Sequence, residues 1–355
     1  MKTILSVCSL ATALAAQGLV TPGHFTSTEG NDYIQTPFGV TSTPARILQV
    51  HDDMSGTART IQALAFRRNG TTTTAYAAYS VIVDLRLSTS PLNSGTVSTT
   101  FESNHGADLV TVALQKVVSL PATVHDSQRP FVYRFPFNQP FAFAGGGPLA
   151  WDMTVTSRTN SSALTFDGFR SSNTNPPAMD WSFGTGCKAT TYSTAMTMSG
   201  SSTATWSSGS VNFSFAGSNF PKSAVVTLLL GGDDKNFGGI PLPWEIPGTN
   251  GFPSGVCHLY VAPLLTINQV TNASGAMNAV LSVGGMTQAN NGMILFTQAV
   301  AIDANNAFGL VFSNLIEHQI VAPFAVRPIS YVYRNGSAGT TGTVVKNEGH
   351  VTSLE

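Results

Sequence analysis

Ser80-Val-Ile-Val-Asp-Leu-Arg-Leu87 is the stretch that decides the fold. Val81, Val83, Leu85 and Leu87 alternate with Ser80, Asp84 and Arg86, and only Ile82 departs from the polar set. A period of two belongs to a strand with one buried face. Leu149, Trp151, Met153 and Val155 alternate with Asp152, Thr154 and Thr156 in the same way. The runs 61–66, 109–120 and 131–137 read as further strands, and Pro121, Pro130, Pro136 and Pro140 mark edges or bends among them. In the second half 211–215 alternates again. The continuous apolar run 224–230 resembles a strand buried on both faces. Strands are also predicted at 257–265, 277–283, 293–302 and 309–313, with turns at 272–275 and 290–292. No stretch combines helical apolar spacing with caps.

Many short strands with regular turn signals predict an all-β fold. The expectation is two β-sandwich, jelly-roll-like domains in tandem. Asn173-Thr-Asn-Pro-Pro177 is the clearest break, since adjacent prolines favour an extended linker. The predicted layout is a signal peptide at 1–16, a first domain at 17–172 and a linker at 173–180. A second domain follows at 181–325, then a tail at 326–355, partly strand or disordered.

The export signal rests on Lys2, the apolar run 4–16 and the small-x-small triplet Ala13-Leu14-Ala15, which places cleavage near Ala15 or Ala16. That run is shorter than the roughly 20 apolar residues a bilayer span needs. No later segment is longer, so no transmembrane segment is expected. The mature chain is expected to be secreted, periplasmic or in the cell envelope. Only 10% of the 355 residues are charged and the formal net charge is -1. Nucleic-acid binding rests on many Lys and Arg contacts to phosphate, so this composition argues against it. Of three cysteines, Cys8 leaves with the signal. Cys187 and Cys257 remain, an even pair in an oxidising compartment, and a disulfide is expected between them.

The second half resembles a β-rich module near the C-terminus of exported proteins of planctomycete-type bacteria. The residues that carry the likeness are Gly184-Thr-Gly-Cys187, Leu228-Leu-Leu-Gly-Gly232, Gly238-Gly-Ile-Pro-Leu-Pro243, Gly255-Val-Cys257 with Leu259-Tyr-Val261, and Gln298-Ala-Val-Ala-Ile-Asp-Ala304 with Asn314. The first half looks like the partner region of such proteins, through 61–68, Phe101-Glu-Ser-Asn104 and Pro140-Phe-Ala-Phe143. The resemblance implies export, a β fold and the Cys187–Cys257 bridge. It brings no catalytic residue with it.

Candidate chemistry is sparse. Glycoside hydrolysis needs two carboxyl groups flanking one bond, and the chain has only six Glu. Glu245 beside Trp244 and Glu102 are the acids a hydrolase would use; Trp244 and Glu245 also form the candidate ligand contact. His51-Asp52-Asp53 could offer metal ligands, and Asp233-Asp234 with Asn236 could hold calcium. Turn chemistry is the stronger reading of both. There is no Gly-x-Ser-x-Gly and no His-x-x-x-His, and Gly145-Gly-Gly147 lacks a following Lys and helix. The aromatics between Phe131 and Phe143 suit one core face better than an exposed sugar platform. No catalytic, cofactor or metal residue is assigned. The expected function is non-catalytic adhesion or contact with extracellular glycan or envelope components. A secreted polysaccharide hydrolase and a structural spacer are the alternatives.

Overall fold

The alternation at 80–87 becomes the strand Tyr79–Thr89, with Val81, Val83, Leu85 and Leu87 all turned into the core. It lies in a six-stranded sheet of order Thr343–Val345, Ile329–Asn335, Ala45–His51, Leu149–Arg158, Tyr79–Thr89, Val110–Leu120. Every pairing in this sheet is antiparallel. The computed structural model describes residues 18–26, 28–30, 32–40, 42–70, 74–126, 129–159, 164–170, 179–246, 257–304, 309–321, 328–337 and 339–355. The predicted signal peptide, and the linker up to residue 178, lie outside the described residues. Among those described, the regular elements are strands and four short 3-10 turns, and no helix is long and apolar enough to cross a membrane.

A second sheet of the first half runs Leu19–Thr21, Thr352–Leu354, Arg59–Phe66, Tyr133–Phe143. Its core face carries Tyr133, Phe135, Phe141 and Phe143, which meet Phe38, Phe66, Trp151 and Phe166. Each such ring, fully buried, contributes about 1.5–3 kcal/mol. The aromatic cluster is therefore core, as its spacing suggests. Pro136 and Pro140 fall in Tyr133–Phe143, an edge strand, where a missing N–H is tolerated.

The second core is built by two other sheets. One has the order Met179–Phe183, Leu310–Gln319, Ile294–Ile302, Val225–Gly231, Leu265–Val270. The other has the order Thr197–Thr205, Ser210–Ser218, Met277–Gly284. Phe213, Phe215, Phe220, Leu228 and Leu230 fill the space between them. Cys187 and Cys257, both buried members of this core, are joined in a disulfide with Cα atoms 5.1 Å apart.

One expectation differs from what is found. The run 224–230 is buried on one face only: Val226, Leu228 and Leu230 are buried, whereas Val225 is exposed and Thr227 and Leu229 are half-buried. Nothing among the described residues covers the outer side of this sheet at Val225, so hydrophobicity alone misread its two sides. The segment after 326, expected as partly strand, pairs within the first half. Ile329–Asn335 pairs with Ala45–His51, Glu348–His350 with Phe166–Arg170, and Thr352–Leu354 lies between Leu19–Thr21 and Arg59–Phe66. The sheets of the first half thus use both ends of the chain, and none of them takes a strand from 179–321.

Candidate functional site

The polar side of Tyr79–Thr89 was expected to face solvent. Instead the segment 90–109 folds over it, and Phe101 and Val97 pack on Leu48, Val50 and Ala150. The covered polar residues form an ionic cluster. Arg86 lies opposite Asp152 in the ladder, and Arg46 and Arg86 both bind the Asp152 carboxylate. Burial alone would raise the Asp152 carboxyl. Hydrogen bonds from Arg46 and His105, with the charges of Arg46 and Arg86, outweigh it and hold the group well below the usual carboxylate range. Glu102 is gripped by Arg86 and Arg46, and its pKa is lowered chiefly by the Arg86 bond.

Ser88, His105 and Asp152 lie in line within this cluster. Ser88 Oγ is 2.8 Å from His105 Nδ1, and His105 Nε2 is 3.1 Å from Asp152 Oδ2. The composition resembles that of a serine nucleophile with its base and orienting acid. Access decides against that role: Ser88 is fully buried, so no acyl group can reach its oxygen. The chain of bonds fastens 90–109 to the sheet. No local motif announces it, because its members come from three separate stretches.

His51-Asp52-Asp53 does not gather into a metal cluster. Asp52 caps Ser94, accepting from its backbone N–H at 2.8 Å. His51 is fully buried. Its Nε2 accepts from the Trp151 indole at 2.7 Å, so its proton sits on Nδ1 and is donated to Thr21 Oγ1 at 2.8 Å. Thr21 in turn donates to Asp53 at 2.7 Å. Asp233 accepts from the backbone N–H groups of Lys235 and Asn236, the turn chemistry expected there.

Trp244 and Glu245 form a two-residue strand paired with His258–Leu259, next to the disulfide. Strand alternation puts Trp244 on the side of Leu259, where it packs partly against the second core. Glu245 is exposed on the other side, opposite His258. The acid and the ring that the sequence placed together therefore point apart.

A cavity lies elsewhere, beside the segment between Val110–Leu120 and Tyr133–Phe143. It has a volume of about 180 Å³ and is walled by Arg68, Val124, His125, Arg129, Pro130 and Val132, with Asp126 at its side. The segment also reaches the second half of the chain. The His125 ring stacks on Phe183 with centroids 3.8 Å apart, and its Nε2 is 3.2 Å from Glu317. Arg129 binds buried Glu317 and lies 3.1 Å from buried Glu29, with its guanidinium over the Trp181 ring. Asp126 is 3.4 Å from Lys235. Arg129 holds a left-handed backbone, φ 49, which disfavours any side chain. That strain is tolerated where the guanidinium joins two buried carboxylates.

Behind Glu29 lies Asp167, fully buried. It accepts from Arg67 at 2.7 Å and from the Gly30 N–H at 2.8 Å. Its pKa is raised well above the ordinary value, by burial first and then by the charge of Glu29, against the pull of Arg67. Arg68 is held by the Thr74 carbonyl at 2.8 Å and lies over the Tyr76 ring. The sequence shows this site only as proline punctuation, since its members come from seven separate stretches. No protein-family model matches the chain, and no curated protein matches it.

Proposed function

We propose that the chain is an exported, non-catalytic surface or extracellular module that contacts glycan or envelope components, built as two sandwich-like lobes in tandem. The observation that carries this reading is where the acids lie. A glycoside hydrolase sets two carboxyl groups about 5–9.5 Å apart across one bond. Among the described residues the cavity wall holds one acid, Asp126, and it leans on Lys235. Glu102 is tied to two arginines and stays ionised, which disqualifies it as a proton donor. Glu245 stands exposed beside no second carboxylate in its ladder. What the cavity does offer is apolar wall and fixed hydrogen-bonding groups, which suits binding.

A glycan array combined with polysaccharide turnover assays tests the reading. The expected outcome is saccharide binding without turnover, in the native chain and in Glu245→Gln alike. Turnover that Glu245→Gln abolishes, with the melting temperature unchanged, would establish the hydrolase instead. Neither binding nor turnover would leave the spacer.

A further inference from the structure

One side of the second core is unguarded where the other long sheet edges are not. An edge strand can pair with another chain, and charges, prolines or side-chain cover blunt that tendency. Val110–Leu120 carries Lys116, and Tyr133–Phe143 carries Arg134 and two prolines. Met179–Phe183 carries Asp180. Thr197–Thr205 is uncharged, but Asp180 and Asn314 accept from its Ser202 and Met198 N–H groups at 2.8 and 2.7 Å. Leu265–Val270 has none of these devices. It ends its sheet, and among the described residues no strand pairs with its outer edge. Met277–Gly284, the edge of the other sheet, follows it through the turn 272–276 and is uncharged too. From 246 to 302 the chain contains no Asp, Glu, Lys or Arg.

The outer face beside this edge is apolar. Val270 lies opposite Val225, and Ile302 follows Ala301, the partner of Val226. These three residues are 68%, 54% and 66% exposed, and Leu264, just before the edge strand, is 84% exposed. A twofold axis perpendicular to the sheet keeps every residue on its own face, so only residues an even number apart can meet across it. With the axis at Ile267, Ile267 meets itself, Thr266 meets Asn268 and Leu264 meets Val270. Polar faces polar and apolar faces apolar; only the pair of Leu265 with Gln269 is mixed. A second copy supplies that order by symmetry, and a neutral edge paired with itself brings no like charges together.

We propose that Leu265–Val270 pairs antiparallel with the same strand of a second copy about a twofold axis at Ile267, so that one sheet runs through both copies. The row Val270, Val225, Ile302 then continues into Leu264 of the second copy. The dimer needs no ligand, so its failure would leave the glycan reading intact.

Sedimentation equilibrium of the full chain from micromolar to near-millimolar concentration is expected to show a dimer that dissociates on dilution. Thr266→Lys/Asn268→Lys changes two exposed positions and sets like charges opposite each other; it is expected to weaken the dimer about tenfold. Thr266→Lys/Asn268→Glu sets opposite charges at the same places and is expected to associate like the native chain. Should a variant fail to fold, hydrogen exchange of the native chain decides, with amides 265–270 expected to gain protection as concentration rises. A monomer throughout, a dimer that both variants keep or both lose while folded, or exchange at 265–270 that ignores concentration would overturn the pairing.

Discussion

Thr21, His51, Asp53 and Trp151 form a buried relay whose protons are fixed by what each partner can donate. Burial keeps His51 neutral, with its pKa lowered to about 3, and the charge of His350 adds to this. His350, also fully buried, is lowered to about 4. Asp53 moves the other way, raised to about 6, because burial outweighs the bond from Thr21. The signs follow by linkage. The two histidines contribute stability that is full above their unfolded value of 6.5 and is lost as pH falls toward 4 and 3. Asp53 contributes most below 3.8, and that contribution is lost as pH rises through about 6. The two histidines oppose Asp53, and the raised Asp167 carboxyl acts on the Asp53 side, so the comparison of variant with native isolates Asp53. Asp53→Asn removes that one titration. Its stability relative to the native chain should improve from acid to neutral pH by at most about 3 kcal/mol, the equivalent of the Asp53 shift. Melting curves of both chains across this range check the point, and a difference that stays constant or reverses with rising pH would refute it. None of this was legible in His51-Asp52-Asp53 as a string, since the partners that set each proton lie 30 and 100 residues away.

Strands with a strict period were legible because one of their faces had to be buried. Tyr79–Thr89 and Leu149–Arg158 are where the alternation puts them. What covers the other face was not legible: Arg86 and Asp152 look like solvent residues until 90–109 folds over them. The segment 121–132 carries no period at all, yet its Arg129 pairs with two buried carboxylates. Its position between two strands of the first half makes Arg129 the link between Glu29 and Glu317, which are far apart in sequence. Arg129→Ala would leave both carboxylates buried beside an empty space. A loss of about 3–5 kcal/mol is expected in urea unfolding, the range for breaking a buried pair by removing one partner. Lys235→Ala removes the largely exposed contact with Asp126 and should change stability by less than about 1 kcal/mol. Equal effects of the two substitutions would mean that Arg129 is not the hub.

At the scale of the whole molecule, alternation found the two cores but missed how the chain closes the first. The last strands are three residues long, too short for a period to show. The clue lay instead in Ile329, Tyr331 and Tyr333, apolar at every second position. Once Ile329–Asn335 and Thr352–Leu354 are inserted, the first core comprises 18–170 together with 328–355. A fragment ending at residue 172 therefore lacks an inner strand of one sheet and exposes the edge of Arg59–Phe66 next to the short Leu19–Thr21. Unpaired edges of this kind promote aggregation. The fragment 17–172 is expected to be insoluble or non-cooperative in unfolding. The fragment 179–321 keeps every strand of its own sheets and the disulfide, and is expected to unfold as one unit. A single proteolytic cut between 171 and 178 should accordingly leave two pieces that co-elute in size exclusion, because the piece with the C-terminus still supplies strands to the other. The pieces should part only in denaturant. Separation of the cut chain under native conditions, or cooperative unfolding of 17–172 alone, would show that the terminal strands are an accessory to the first core and not part of its closure.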